Sequence, residues 1–200
     1  AAAVFCSCDK NADCVPCDQQ ETGTLAVSLL FDEGAQTKAV TSFTTSQTYE
    51  KQVNKVQIFV FDESGKINIY KDAGTTQSNI PISTTTGKKT IWAVVNGPDL
   101  SEVASLAELE DTAIDLAANS TTAATGFVMA GSTSCTVSAS AATANISVSR
   151  LVARVALQKV TNQLPDGYGA LTIDNVVLTN VAGNQNIAGD ATPATWYNKM

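Results

Sequence analysis

Four cysteines crowd the first 17 residues, Cys6, Cys8, Cys14 and Cys17, and a fifth stands far off at Cys135. Cys14-Val15-Pro16-Cys17 has the C-x-x-C spacing of a dithiol redox centre. Such a centre needs a strand before it and a helix after it. Here Asn11-Ala12-Asp13 precedes and Asp18-Gln19-Gln20-Glu21 follows, with no apolar periodicity. The pattern therefore reads as a local disulfide or idle thiols. Zinc held by the same four thiols would lack the surroundings that orient metal ligands. Cys135 sits alone in a β-like segment and reads as a small buried hydrophobe. Histidine is absent, which removes imidazole relays and imidazole-ligated metals. Gly87-Lys88 is no phosphate loop, because Ile82 stands where a glycine is needed and Lys89 where Ser or Thr is needed. Gly167-Tyr168-Gly169 reads as a turn. The acids Asp62, Glu63, Glu108, Glu110, Asp111 and Asp115 fall in turns or on a solvated helix face, and nothing marks a glycosidase pair. No run has the alternating ligands of a calcium loop. Asn119-Ser120-Thr121, Asn145-Ile146-Ser147 and Asp111-Thr112-Ala113 match short glycosylation patterns that a Thr-rich chain produces by chance. The chain reads as no enzyme, with no catalytic residue, cofactor or metal site.

The positioning elements must come from a chain of 200 residues that is 44% hydrophobic, 16% charged and 6% aromatic. Such a mixture, rich in Thr, Ser, Ala and Val, favours half-buried strands over long charged helices. The balance of 12 Lys+Arg against 19 Asp+Glu, net −7, disfavours nucleic acid as a partner. No apolar run reaches the ~18 residues of a membrane-spanning helix. Residues 1–8, small and apolar, are followed at once by polar Asp9 to Asp13. With Ser7 just before Cys8, they resemble the end of a bacterial lipoprotein signal, in which Cys8 becomes the acylated terminus. That resemblance implies a lasting, multiply acylated membrane anchor. Residues 9–22 read as a polar tether.

The first strand runs from Thr24 to Phe31, with Leu25, Val27, Leu29 and Phe31 on one face and Ala26, Ser28 and Leu30 on the other. Residues 35–50 read as an exposed loop or weak strand. Lys55–Phe61 carries apolar groups on both faces, turns at Asp62 to Gly65 and returns through Lys66–Tyr70 as a hairpin. Lys88–Asn96 is a buried strand stopped by Asn96-Gly97-Pro98. After a short turn over 100–104, Ser105-Leu106-Ala107-Glu108 is a capping box, with Leu106, Leu109, Ala113 and Leu116 on one helical face. Strands resume over 126–131 and 134–138. In 145–161, Val148, Leu151, Val152 and Val155 fit a helix, whereas Leu151, Ala153, Val155 and Leu157 fit a strand. The β-branched content and Arg150 and Arg154 on one alternate face favour the strand. Leu171 to Val181 is another strand, with Ile173 and Val177 prominent. About seven strands and one helical insertion, without βα alternation, predict a mostly antiparallel β-sandwich or barrel.

Several blocks together resemble the fimbrillin family, the type V pilins with FimA-like major fimbrial subunits. They are Gly23-Thr24-Leu25-Ala26-Val27-Ser28-Leu29-Leu30, Val53-Asn54-Lys55-Val56-Gln57-Ile58-Phe59-Val60-Phe61, Trp92-Ala93-Val94-Val95-Asn96-Gly97, the helix from Ser105, Phe127-Val128-Met129-Ala130-Gly131, and Ser149-Arg150-Leu151-Val152-Ala153-Arg154-Val155. The resemblance implies a transthyretin-like β-domain over residues 23–190, and it supports the strand reading of 149–157. Residues 191–200 would begin a link to a C-terminal domain, making the chain part of a longer pilin. It further implies an outer-membrane lipoprotein precursor, cut by a trypsin-like protease just beyond the first strand and then assembled into a cell-surface fimbrium. The cut is carried to Lys38–Ala39. Known members have Arg there, so the lysine leaves the protease's identity open, and an ordinary loop lysine is the alternative. The leaving strand would be the ribbon of Leu25, Val27, Leu29 and Phe31, replaced by a strand of a neighbouring pilin subunit. A host or bacterial surface receptor is the remaining implied partner.

A second reading is a surface-anchored glycan-binding β-sandwich lipoprotein, with Trp92, Trp196 and Tyr197 as stacking platforms. Trp92 itself reads as core, and Trp196 is left open.

Overall fold

The computed structural model describes residues 21–31, 52–119, 126–153, 155, 160–165, 167–169 and 172–200. In chain order the elements are β1 (Thr22–Phe31), β2 (Val56–Phe61), β3 (Ile67–Asp72), β4 (Ile80–Thr85), β5 (Gly87–Val95), α1 (Leu106–Asp111), β6 (Ala113–Asp115), α2 (Leu116–Asn119), β7 (Met129–Val137), β8 (Ala142–Arg150), β9 (Val181–Ala182), β10 (Asn184–Asn186) and β11 (Trp196–Tyr197). Seven strands form one sheet in the order β3-β2-β5-β7-β8-β1-β4. Every neighbouring pair in it is antiparallel except one: β1 runs parallel to β8. The mainly β sandwich expected from the strand count is present, with this parallel joint as its departure.

β8 changes partner along its length. Ala142 to Val148 pair with β1, whereas Ser149 and Arg150 pair with β7. The change makes a corner. On one side lies a wall of β4, β1 and β8, and on the other a wall of β3, β2, β5 and β7. Inward side chains of both walls form the first core: Leu25, Val27 and Leu29 meet Ile58, Val60, Ile91, Val95, Ile80, Ile82, Ile146 and Val148. Period-two alternation places each of them, since successive strand residues face opposite ways.

The opposite face of β2, β5 and β7 is also covered. Phe59, Phe61, Trp92, Val94 and Val128 pack there under Leu100, Val103, Leu109, Ile114 and Ile187. This explains why every residue of β2 is buried. The β2–β3 turn closes on Asp62, whose carboxylate accepts from the Ser64 and Lys66 N–H groups at 2.9 and 3.1 Å and from Ser64 Oγ at 2.6 Å. The Ser64 bond, with the backbone bonds, holds this carboxyl below the usual Asp range.

Ser105 caps α1: its Oγ accepts from the Glu108 N–H at 3.3 Å, while Glu108 Oε2 accepts from the Ala104 N–H at 2.9 Å. The single helical face through Leu106, Leu109, Ala113 and Leu116 does not form. Thr112 ends the helix, donating its N–H to Leu109 O and its hydroxyl to Glu108 O. Ala113–Asp115 then becomes β6, which buries Ile114 and pairs with β10.

Three strand expectations are also corrected. Residues 126–131 and 134–138 belong to a single strand, β7, because β5 pairs continuously along it from Gly87↔Val137 to Val95↔Met129. Of the strand expected over 149–157, Ser149 and Arg150 end β8, which begins upstream at Ala142; residues 151–153 and 155 join no strand, and 154, 156 and 157 lie outside the described residues. The end of β8 follows from Leu151, whose N–H bonds Val128 O at 3.1 Å while its side chain turns onto the second core. Residues 172–179 join no ladder, and Ile173 and Val177 are exposed; only Val181–Ala182 pairs, with Trp196–Tyr197. β4, in contrast, lies where no strand was expected.

Candidate functional site: the slot of the first strand

The ribbon predicted on one face of the first strand is brought together. Leu25 and Val27 are fully buried, Leu29 nearly so, and Phe31 packs partly against the same core. The other face, from Thr22 to Leu30, is half-buried or exposed, and Leu30 is 52% exposed. Among the described residues, β1 is thus buried on its inner face only.

Its edges are both occupied. Thr22 to Val27 pair with Thr85 to Ile80, and Leu25 to Phe31 pair with Ala142 to Val148. The strand lies inside a three-stranded wall, not along an outer edge. Adjacent strands are ~4.8 Å apart, so removing β1 would open a slot about 10 Å wide between β4 and β8. Its sides would be two rows of unpaired N–H and C=O groups. Its floor would be apolar, with Ile80 and Ile82 on one side and Ala144, Ile146 and Val148 on the other. Ile80, Ile82, Ala144 and Ile146 escaped the sequence reading as core residues, and Val148 entered it on a helical template, although both segments carry period-two signals. Thr143, Asn145, Ser147 and Ser149 alternate with Ala144, Ile146 and Val148. In β4 the signal is masked by Pro81, which is acceptable on the outermost strand of a sheet.

The start of the ribbon is tightly seated. A Cβ at Gly23 would come within 2.1 Å of Ser138 O and 2.7 Å of Val137 Cγ1. Backbone cannot yield as a flexible side chain can. Gly23→Val is expected to destabilise the chain by about 2–3 kcal/mol through overpacking, read as a lowered urea midpoint with an unchanged slope.

The remaining candidates lie elsewhere. Cys8, Lys38 and Ala39 lie outside the described residues, as do Cys6, Cys14, Cys17 and Arg154. Cys135 is half-buried beside the first core, and desolvation pushes its thiol up. Asn119 is buried, and its Oδ1 accepts from the Val128 N–H at 2.7 Å, so its amide is engaged in the fold. Trp92 belongs to the second core and borders an open cleft of about 570 Å³; its indole N–H has no acceptor among the described residues. Trp196 and Tyr197 are exposed neighbours on β11 and so face opposite sides. The three aromatic residues do not make one stacking surface. Among the described residues no three His, Cys, Asp or Glu side chains gather as a metal-binding group, and no helix is long and apolar enough to cross a membrane.

A β-sandwich whose first strand fills a slot between two others defines the class. The sequence matches the family described as major fimbrial subunit protein (FimA) over residues 22–191, and the chain belongs to that family. No curated protein matches it. Among solved structures, it is similar to a Parabacteroides distasonis protein described as a cell adhesion protein, at 16% identity and a TM-score of 0.61. That match covers 88% of this chain and 54% of the other, so this chain spans about half the length of that relative. The tip fimbrial protein Mfa3 of Porphyromonas gingivalis matches at 14% identity and TM-score 0.47, over 65% of this chain and 48% of that one. A fimbrilin of the same organism matches at 14% and 0.44, over 64% and 40%.

Proposed function

We propose that this chain is a structural subunit of bacterial cell-surface fimbriae, serving adhesion, and that it assembles by donor-strand exchange. In this reading a trypsin-like protease cuts at Lys38–Ala39, the β1 ribbon leaves, and a strand of a neighbouring subunit enters the slot. Cys8 carries the lipid that holds the uncut precursor at the outer membrane. Residues 23–190 form the β-domain, and 191–200 lead toward a further domain. Assembled subunits present a surface to a host or bacterial receptor.

The observation that carries the reading is the seating of β1: buried on its inner face, open on its outer face, and paired by backbone on both edges. Leu25, Val27 and Leu29 together contribute roughly 5–9 kcal/mol by burial, a sum comparable to the whole stability of a domain. An empty slot is therefore untenable, and any apolar strand of matching alternation would be drawn into it. The open outer face gives the strand a route out that displaces no other element among the described ones.

The test is limited tryptic digestion of the folded chain, followed by a fluorescent peptide copying residues 22–31. Cleavage between 32 and 51 should come first, and the cut protein should then take up the peptide while the uncut protein does not. Cleavage confined to other segments, or a cut protein that never binds the peptide, would overturn the mechanism.

A further inference from the structure

If β1 leaves, β4 loses the only backbone ladder it has among the described residues, because it is the last strand in the sheet order and β1 is its sole neighbour there. Its free edge faces β3, the strand at the other end of the order. No ladder joins β3 to β4; side chains bridge them. Asn68 Oδ1 accepts from the hydroxyl of Thr84, from the Thr85 hydroxyl at 3.1 Å and, at 3.4 Å, from the Thr85 N–H. Lys71 Nζ donates to Pro81 O at 2.6 Å. From β5, the buried Lys89, only 3% exposed, seats its ammonium on Thr85 Oγ1 at 2.7 Å. Proline has no N–H to offer, so at Pro81 the free edge presents only its carbonyl, and that carbonyl is taken. The edge that a sheet would leave open is thus closed by side chains reaching from the far wall.

We infer that Asn68, Lys71, Thr84, Thr85 and Lys89 form a latch that holds β4 in place as the fixed side of the slot while the first strand is exchanged. This rests on the reading of β1 as the leaving strand. β8, the other side of the slot, stays tied to β7 through the pairs Met129↔Arg150 and Ala130↔Ser149. Among the described residues, β4 has no equivalent tie. Without the latch it would swing away with β1, and the incoming strand would find one side of its slot missing. Asn68, Lys71 and Lys89 lie on β3 and β5 and pair with no residue of β1, so these three act by positioning alone, whereas Thr84 and Thr85 also pair with Gly23 and Thr22.

The experiment compares peptide uptake by trypsin-cut chains, with the fluorescent copy of residues 22–31 as the probe. Asn68→Leu removes the shared acceptor and should weaken uptake about tenfold. Asn68→Asp keeps an acceptor oxygen and should restore it. Lys71→Met removes one surface bond and should weaken uptake by a smaller factor; it carries the test if Asn68→Leu does not fold. Circular dichroism of the uncut variants should match wild type. Uptake by cut Asn68→Leu and Lys71→Met equal to that of wild type would overturn the latch while leaving strand exchange intact. Absence of uptake by the cut wild-type chain would overturn both.

Discussion

Val27→Asp should leave the intact chain unfolded at room temperature, while Ser28→Asp, one residue further on, should melt within a few degrees of wild type. The two differ only in the face they occupy. Val27 is fully buried, with Ile80 and Ala144 as its partners on the flanking strands. A carboxylate there would displace an apolar side chain worth about 1.5–3 kcal/mol. It would also stand as an uncompensated charge, several kcal/mol more. Together these approach the 5–15 kcal/mol that stabilises an ordinary domain. Ser28 points outward and is half-exposed, and its Oγ accepts from the Asn79 N–H at 3.0 Å. An aspartate oxygen can accept the same bond, so that edge keeps its tie. Thermal melts followed by circular dichroism read both variants. A Val27→Asp chain that melts like wild type would mean that the ribbon is not part of the core. Placed in the 22–31 peptide instead, the same two changes should separate strand uptake from its absence.

That contrast is legible in the sequence, because alternation in a strand is a property of neighbouring residues alone. The spacing of Leu25, Val27 and Leu29 puts them on one face, and the turn residues around Asp62 mark the hairpin. β4 and β8 were hidden for different reasons. Ile80-Pro81-Ile82-Ser83-Thr84 has a proline and a Thr-rich tail that resemble a loop, and only the sheet order shows it to be an outermost strand, where proline does no harm. In the stretch 145–161 the β-branched content and the arginines place the strand downstream, whereas Ala144, Ile146 and Val148 are those the core receives. Burial against a distant wall decided the matter, and spacing along the chain does not encode it. The helix failed similarly: Ala113 and Leu116 fit a helical face, yet Ile114 is buried by β6 pairing with a segment 70 residues on, Asn184–Asn186. The latch is not legible in the sequence, since it joins polar residues of β3, β4 and β5 that only the packing of the two walls brings together.

Gln57 makes the same point as a prediction. It lies in the most apolar strand and reads as a polar interruption, but it is fully buried. Its Nε2 donates to Pro98 O at 2.7 Å, and its Oε1 accepts from the Leu100 N–H at 3.0 Å and the Tyr70 hydroxyl at 3.2 Å. One side chain thus fastens the 97–100 loop, which carries Leu100 into the second core, to the middle of the double-buried β2. Gln57→Leu preserves volume and adds apolar surface, so hydrophobicity alone predicts a more stable chain. The hydrogen bonds predict the reverse. A buried N–H and a carbonyl lose their partners at about 1–3 kcal/mol each, roughly 2–6 kcal/mol together. Chemical denaturation decides between them: a midpoint at or above wild type would show that apolar packing alone holds the loop down, and a large fall would show that the amide does.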